Sequence, residues 1–117
     1  MTNNLTMLTD LYQLTMMNGY YKKGLHENTA VFDIFFRKNV CEGGYTIICG
    51  IEEVVNYIQN LHYEDSDLEY LRSLNLFDED FLGFLKDFKF TGDIYAVEDG
   101  TVMFPGEPVL VVKATLY

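Results

Sequence analysis

The 117-residue chain is short of positive charge. Eight Lys and Arg stand against 18 Asp and Glu, for a net charge of -10. That balance argues against a chain that wraps nucleic acid, which needs clustered Lys and Arg, and it disfavours an anionic membrane surface. No run approaches the ~18 consecutive apolar residues of a transmembrane helix. No basic region precedes an apolar run at the N-terminus, so no secretory signal is expected. There is no Ser/Gly-rich or Pro-rich linker, no low-complexity tract and no repeat at solenoid or propeller spacing. Cysteine is scarce as well. Cys41 and Cys49 match no zinc or redox spacing, and reduced thiols in a cytoplasmic protein are the expectation. His26 and His62 lie far apart with no partner at ligand spacing, so both read as surface or boundary histidines and no metal site is expected.

Apolar residues are plentiful by contrast, 49% of the chain with 15% aromatic. That suits one small domain with a core rather than disorder. The stretch Leu8 to Gly24 predicts a helix from about Thr9 to Lys23. Thr9 or Asp10 can cap it, and Gln13 stands three after Asp10 as in a capping box. Lys22 and Lys23 oppose the dipole in the last turn, and Gly24 can end the helix in a left-handed conformation. Leu11, Leu14, Met16 and Met17 spread round the circumference, as in a helix buried on several sides or clamped at a subunit contact.

Asn28 to Asn39 reads as a strand with Arg37 and Lys38 at its end, and Cys41 to Gly50 as a Gly43-Gly44 turn and a second short strand. Gly50 to Leu61 is an amphipathic helix with Ile51, Val54, Val55, Ile58 and Leu61 in one stripe. Two short helices follow. Ser66 with Glu69 suggests a capping box for the first. Asp78 can cap the second, with Phe77 and Leu82 placed as a hydrophobic staple and Phe81, Leu82, Phe84, Leu85 and Phe88 on its buried side. The last quarter predicts strands, with a hairpin at Asp99-Gly100 and a type II turn at Pro105-Gly106. The order is helix, strands, three helices, strands, an α+β pattern with a small antiparallel sheet.

No catalytic constellation is complete. Gly43-Gly44 lacks the further glycines of a phosphate loop, and no Ser/His/Asp or Cys/His set has a recognisable signature. The Pro105-Gly106-Glu107 tip resembles the hairpin of biotin and lipoyl carriers but has no lysine for attachment, so it reads as scaffold. Two features remain. Asp10 and Tyr12 open the first helix, either as a capping acid with an interface aromatic or as a ligand contact, since a tyrosine ring can stack on a planar ring. Arg37, one of two arginines, ends a strand, either solvated or aimed at phosphate oxygens that suit its planar fork.

Four blocks in order carry a resemblance: "LTDLYQLTMMNGY" (Leu8 to Tyr20), "FDIFFRKN" with "GGYTIICGIEEVVNYI" (Phe32 to Ile58), "YLRSLNLFDEDFLGFL" (Tyr70 to Leu85) and "FTGDIYAVEDGTVMFPGEPVLVVKA" (Phe90 to Ala114). The chain resembles the N-terminal part of nicotinate phosphoribosyltransferases across essentially all 117 residues. The resemblance implies residues 1–117 as one α+β domain of a type II phosphoribosyltransferase, with the catalytic α/β barrel absent. It implies transfer of a phosphoribosyl group from phosphoribosyl pyrophosphate to nicotinate in NAD salvage. It further implies ligase-type coupling to ATP through a phosphorylated histidine, a magnesium requirement, a cytoplasmic location and a homodimer with shared active sites. By the same resemblance Tyr12 stacks on the pyridine ring in the neighbouring subunit's site, Asp10 lies close by, and Arg37 reaches the substrate phosphates. The phosphorylated histidine and the barrel match segments beyond Tyr117, so neither His26 nor His62 inherits that role and the segment alone is expected to be inactive. Two alternatives stand beside this: a stand-alone binding or dimerisation module, and a nicotinamide-specific relative.

Overall fold

The computed structural model describes residues 4–117. Its elements alternate as the pattern predicts: α1 (Leu11–Lys22), β1 (Thr29–Ile34), a 3-10 turn (Val40–Glu42), β2 (Thr46–Ile47), α2 (Ile51–Gln59), α3 (Asp65–Ser73), α4 (Glu79–Lys86), β3 (Asp93–Ala96), β4 (Val102–Met103) and β5 (Leu110–Thr115). The architecture is α+β. β5 lies between β1 and β3 in an antiparallel sheet, and β2 pairs with β4 in a second.

The helical part closes on itself. Leu14 from α1 meets Leu68 and Leu71 from α3, Phe77, and Phe81, Leu82 and Leu85 from α4 in one buried cluster. The i, i+3 and i+4 spacing of Phe81, Leu82 and Leu85 turns all three to that side. Phe77 and Leu82 both lie in the cluster, as a staple requires. Two exposed ion pairs brace the surface, Lys22 Nζ with Asp78 Oδ2 at 2.7 Å and Lys86 with Asp65 at 3.2 Å. The Arg72 fork grips Glu79 with two hydrogen bonds of 2.6 and 3.0 Å. That hydrogen bonding, joined by charge attraction, pulls the Glu79 carboxyl below its usual range and raises the guanidinium further.

The capping expectations need correction. Asp10 stands at the N-cap of α1 but makes no side-chain cap, so no box forms with Gln13. Asp78 precedes α4 without capping it, because its carboxylate goes to Lys22 instead. α3 begins one residue before Ser66, and the Asp67 carboxylate accepts the Glu64 N–H at 2.9 Å where Glu69 was expected to act. α2 starts on Gly50 and takes its cap from a distant residue: Asp99 Oδ1 accepts the Ile51 N–H at 2.9 Å.

The hairpin expected at Asp99-Gly100 does not form either. β3 and β4 flank that turn yet join different sheets. The Gly100 N–H donates to the Ile48 carbonyl at 2.7 Å, and the Ile48 N–H donates to the Thr101 carbonyl at 2.9 Å. Pairing across to β2 therefore replaces pairing between β3 and β4. β3 instead lies on β5, with Asp93 opposite Lys113 and Ala96 opposite Leu110. Gly92 makes the entry to β3 possible. A Cβ there would stand 2.5 Å from Ala114 Cβ and 2.6 Å from the Lys113 carbonyl.

The sheet part stays open. No residue of α2 is buried, so its apolar stripe is only half covered. Val31, Phe32, Ile34 and Tyr95 are more than half exposed. The whole chain exposes 8341 Å², against about 6,600 Å² expected for a folded monomer of this mass. Its radius of gyration is 16.7 Å, against about 13 Å for a chain this long. A groove of about 520 Å³ runs beside α1, lined by Leu14, Met17, Ile58, Phe88 and Val112 among others. No helix among the described residues is long and apolar enough to cross a membrane.

Candidate functional site

Tyr12 sits in the first turn of α1, 57% exposed. Its ring faces away from the closed cluster because Leu14 and Asn18, one turn apart, occupy the buried side. Gln13 Nε2 donates to the Tyr12 hydroxyl at 3.1 Å, and Thr15 Oγ1 donates to its backbone carbonyl at 3.0 Å. The ring thus stands largely in solvent, with only its hydroxyl engaged by a side chain. Gln13 lines the groove beside α1 and Tyr12 does not. Asp10 is exposed at the helix entrance, and its carbonyl accepts the Gln13 N–H at 3.0 Å. With no cap to make, its carboxylate faces solvent. α1 is not buried on several sides within this chain, since Leu11 and Met16 are each close to half exposed.

Arg37 lies three residues past the end of β1, in a bend rather than in the strand. The bend is tied down on its upstream side. The Val109 N–H donates to the Ile34 carbonyl at 2.7 Å and the Gly106 N–H to the Phe36 carbonyl at 2.9 Å. The donor turn has the type II form expected. Gly106 takes φ +84°, and the Glu107 N–H closes the turn on the Phe104 carbonyl at 3.2 Å. The Glu107 carboxylate accepts the Phe104 N–H at 2.9 Å. Downstream, Asn39 uses both ends of its amide. Its Nδ2 donates to the Gly43 carbonyl at 2.8 Å, and its Oδ1 accepts from Thr46 Oγ1 at 3.1 Å. Between these anchors Cys41 and Glu42 both take left-handed φ, 56° and 55°, a conformation that costs non-glycine residues about 1–3 kcal/mol each.

Charge separates the two arginines. Arg72 is committed to Glu79, whereas Arg37 and Lys38 are exposed and make no ion pair among the described residues. A guanidinium without a carboxylate partner keeps its fork open to an incoming anion. Sequence reasoning missed Asn39 and Gly106 as anchors of this bend. The only sequence signal was that Asn39 closes the Arg37-Lys38 block and that Pro105-Gly106 predicts a tight turn.

The histidines behave as boundary residues. His26 packs between Tyr21, Phe84 and Tyr117 at ring separations of 5.1, 5.3 and 6.0 Å, and His62 Nδ1 stands 2.7 Å from the Asn60 carbonyl. Cys41 and Cys49 are exposed free thiols. Among the described residues no three His, Cys, Asp or Glu side chains converge to hold a metal ion.

The sequence profile of the nicotinate phosphoribosyltransferase (NAPRTase) N-terminal domain matches residues 7–117. The nicotinate phosphoribosyltransferase of Bacillus subtilis is 39% identical over 114 residues, covering 97% of this chain and 23% of that protein. The Caenorhabditis elegans nicotinate phosphoribosyltransferase is 35% identical, covering 94% of this chain and 20% of that protein. The crystal structure of human nicotinic acid phosphoribosyltransferase superposes with a TM-score of 0.82 at 31% identity, over 92% of this chain and 22% of the human one. The chain spans about a fifth to a quarter of the length of these relatives. On the match of residues 7–117, it belongs to the family of nicotinate phosphoribosyltransferase N-terminal domains.

Proposed function

We propose that this chain, as one α+β domain over residues 1–117, supplies the N-terminal part of a nicotinate phosphoribosyltransferase that makes nicotinate mononucleotide from nicotinate and phosphoribosyl pyrophosphate. The observation that carries the reading is the family match from residue 7 to the last residue, with relatives four to five times longer. The open sheet supports it, because an apolar face of this size is a surface on which more protein packs. The relatives named above all transfer to nicotinate by name, which favours nicotinate over nicotinamide.

In this reading Tyr12 presents its free ring faces to the pyridine ring, across a homodimer contact made by the half-exposed side of α1. Asp10 stands beside it at the helix entrance, and Arg37 takes phosphate oxygens of phosphoribosyl pyrophosphate. Among the described residues no side-chain cluster is fit for magnesium, and the chain's charge of -10 repels two anionic substrates. Magnesium and ATP would therefore be held by another part of the enzyme, and the chain alone would be inactive. A cytoplasmic setting suits the two free thiols.

The test is a chimera in which this chain replaces the N-terminal fifth of the Bacillus subtilis relative, assayed for nicotinate mononucleotide. Stacking is worth about 0.5–1.5 kcal/mol beyond area burial. Tyr12→Ala should therefore raise KM for nicotinate about two- to tenfold, with the melting temperature unchanged. Unchanged KM in a well-folded variant would remove Tyr12 from the site, and a chimera without activity would count against the domain assignment.

A further inference from the structure

Resting on the reading of Arg37 as a phosphate contact, we propose that Asn39 is a positioning residue that clamps the Arg37-Lys38 bend, so that two adjacent cations meet a diphosphate group together. The chain carries 18 acids against eight Lys and Arg, so a loose cationic loop would be drawn to the nearest carboxylate. Lys22, Arg72 and Lys86 each sit on an acid, whereas Arg37 and Lys38, like Lys23, Lys89 and Lys113, pair with none among the described residues. The bend is fixed from both sides. Upstream, the Phe36 carbonyl is held by the Gly106 N–H. Downstream, the fixed point is the Asn39 amide, immediately after Lys38.

Asn39 reaches across the turn to the Gly43 carbonyl and to Thr46 at the start of β2. Those two bonds close the loop over the left-handed pair Cys41-Glu42, inside which the Gly43 N–H donates to the Val40 carbonyl at 3.2 Å. A left-handed pair of ordinary residues persists where its surroundings over-determine it. Without the Asn39 amide the loop relaxes from its downstream end, and Lys38 is the first residue released. A guanidinium and an ammonium held side by side gain from diphosphate together what neither gains alone, because the ordering cost is already met.

Order is read on the 117-residue chain labelled with nitrogen-15, and affinity for inorganic pyrophosphate on the full-length chimera described above. Backbone order parameters at Arg37 and Lys38 should be near the rigid value of about 0.85 in the parent and fall below about 0.6 in Asn39→Ala. Pyrophosphate affinity should weaken several-fold in the same variant while the melting temperature stays put. Thr46→Val removes only the second bond and should give a smaller shift of the same sign. Asn39→Asp keeps the acceptor for Thr46 but loses the donor to Gly43 and sets a carboxylate beside Lys38, so its affinity should fall at least as far as that of Asn39→Ala. Unchanged order and unchanged affinity in Asn39→Ala and Thr46→Val, with Arg37→Gln impaired, would overturn the clamp alone. A parent chimera that does not bind pyrophosphate, or an Arg37→Gln chimera that binds as well as the parent, would overturn the phosphate reading and the proposal resting on it.

Discussion

The helical cluster and the three-stranded sheet both carry apolar side chains and end in opposite states. In the cluster Leu71, Phe81 and Leu85 are 0% exposed; on β1, Val31 is 62% and Phe32 64% exposed. Propensity does not separate them, since Val, Ile and Phe are as well suited to strands as Leu is to helices. The partner does. α1, α3 and α4 find one another within about 75 residues of chain, so the faces carrying Leu14, Leu68, Leu71, Phe81, Leu82 and Leu85 have somewhere to go. The sheet pairs its strands completely, with six partners between β1 and β5 and four between β3 and β5, yet no layer covers it. Backbone pairing and side-chain burial are thus separable here: one is complete inside the chain and the other is not. The surface in excess of a typical monomer, about 1,800 Å², is roughly twice the ~800 Å² that one partner buries in a standard protein interface.

The largest test of the contrast is in the cluster. Phe81→Ala deletes a fully buried ring and should cost about 3–5 kcal/mol, a large part of the stability of a small domain, read as the midpoint shift in urea. A loss under about 1 kcal/mol would mean that the cluster is not the closed core. The matching change in the sheet is Phe32→Thr, which removes an exposed ring and keeps a strand-forming residue. It should change stability by about 0.5 kcal/mol or less and reduce binding of a hydrophobic dye. A loss of several kcal/mol there would break the comparison, because it would show the sheet face covered in solution.

What could be read from sequence follows the same line. α3 and α4 were legible because their periodicity points at partners inside the chain, α1 from its end signals and apolar circumference, and Phe77 with Leu82 marked a staple from spacing alone. The caps were not legible. Asp78 had a better partner in Lys22, and α2 took Asp99 from 48 residues downstream. A cap is a local rule that a tertiary bond of similar strength can override. Asp99-Gly100 looked like a hairpin because a two-residue signal carries no information about Ile48, just past β2, which accepts the Gly100 N–H and donates its own to the Thr101 carbonyl. At the candidate site, Tyr12 and Arg37 stood out by residue type, but the anchors that hold the bend, Asn39 and Gly106, look like any turn residues until the fold brings Gly43, Thr46 and Phe36 to them.

Tyr63 stands where the two regions meet, and it gives the smallest test. Its ring packs edge-on to Phe88 at 5.9 Å, and Phe88 in turn meets Tyr117, just past the end of β5, at 5.9 Å. Burial first, then the neighbouring Tyr57 and Asp67, push its hydroxyl up to about 12. The fold therefore holds the neutral phenol. In the unfolded chain the same group titrates near 10. Between about pH 10 and 12 the unfolded state gives up this proton while the folded state keeps it, so stability falls as pH rises through that window. Tyr63→Phe should match the parent at neutral pH and lose less stability from pH 10 upward, a difference that cancels the shared titration of the lysines. Equal alkaline limbs would place Tyr63 in water, and the seam between the closed cluster and the open sheet would then begin one residue earlier in the aromatic chain, at Phe88.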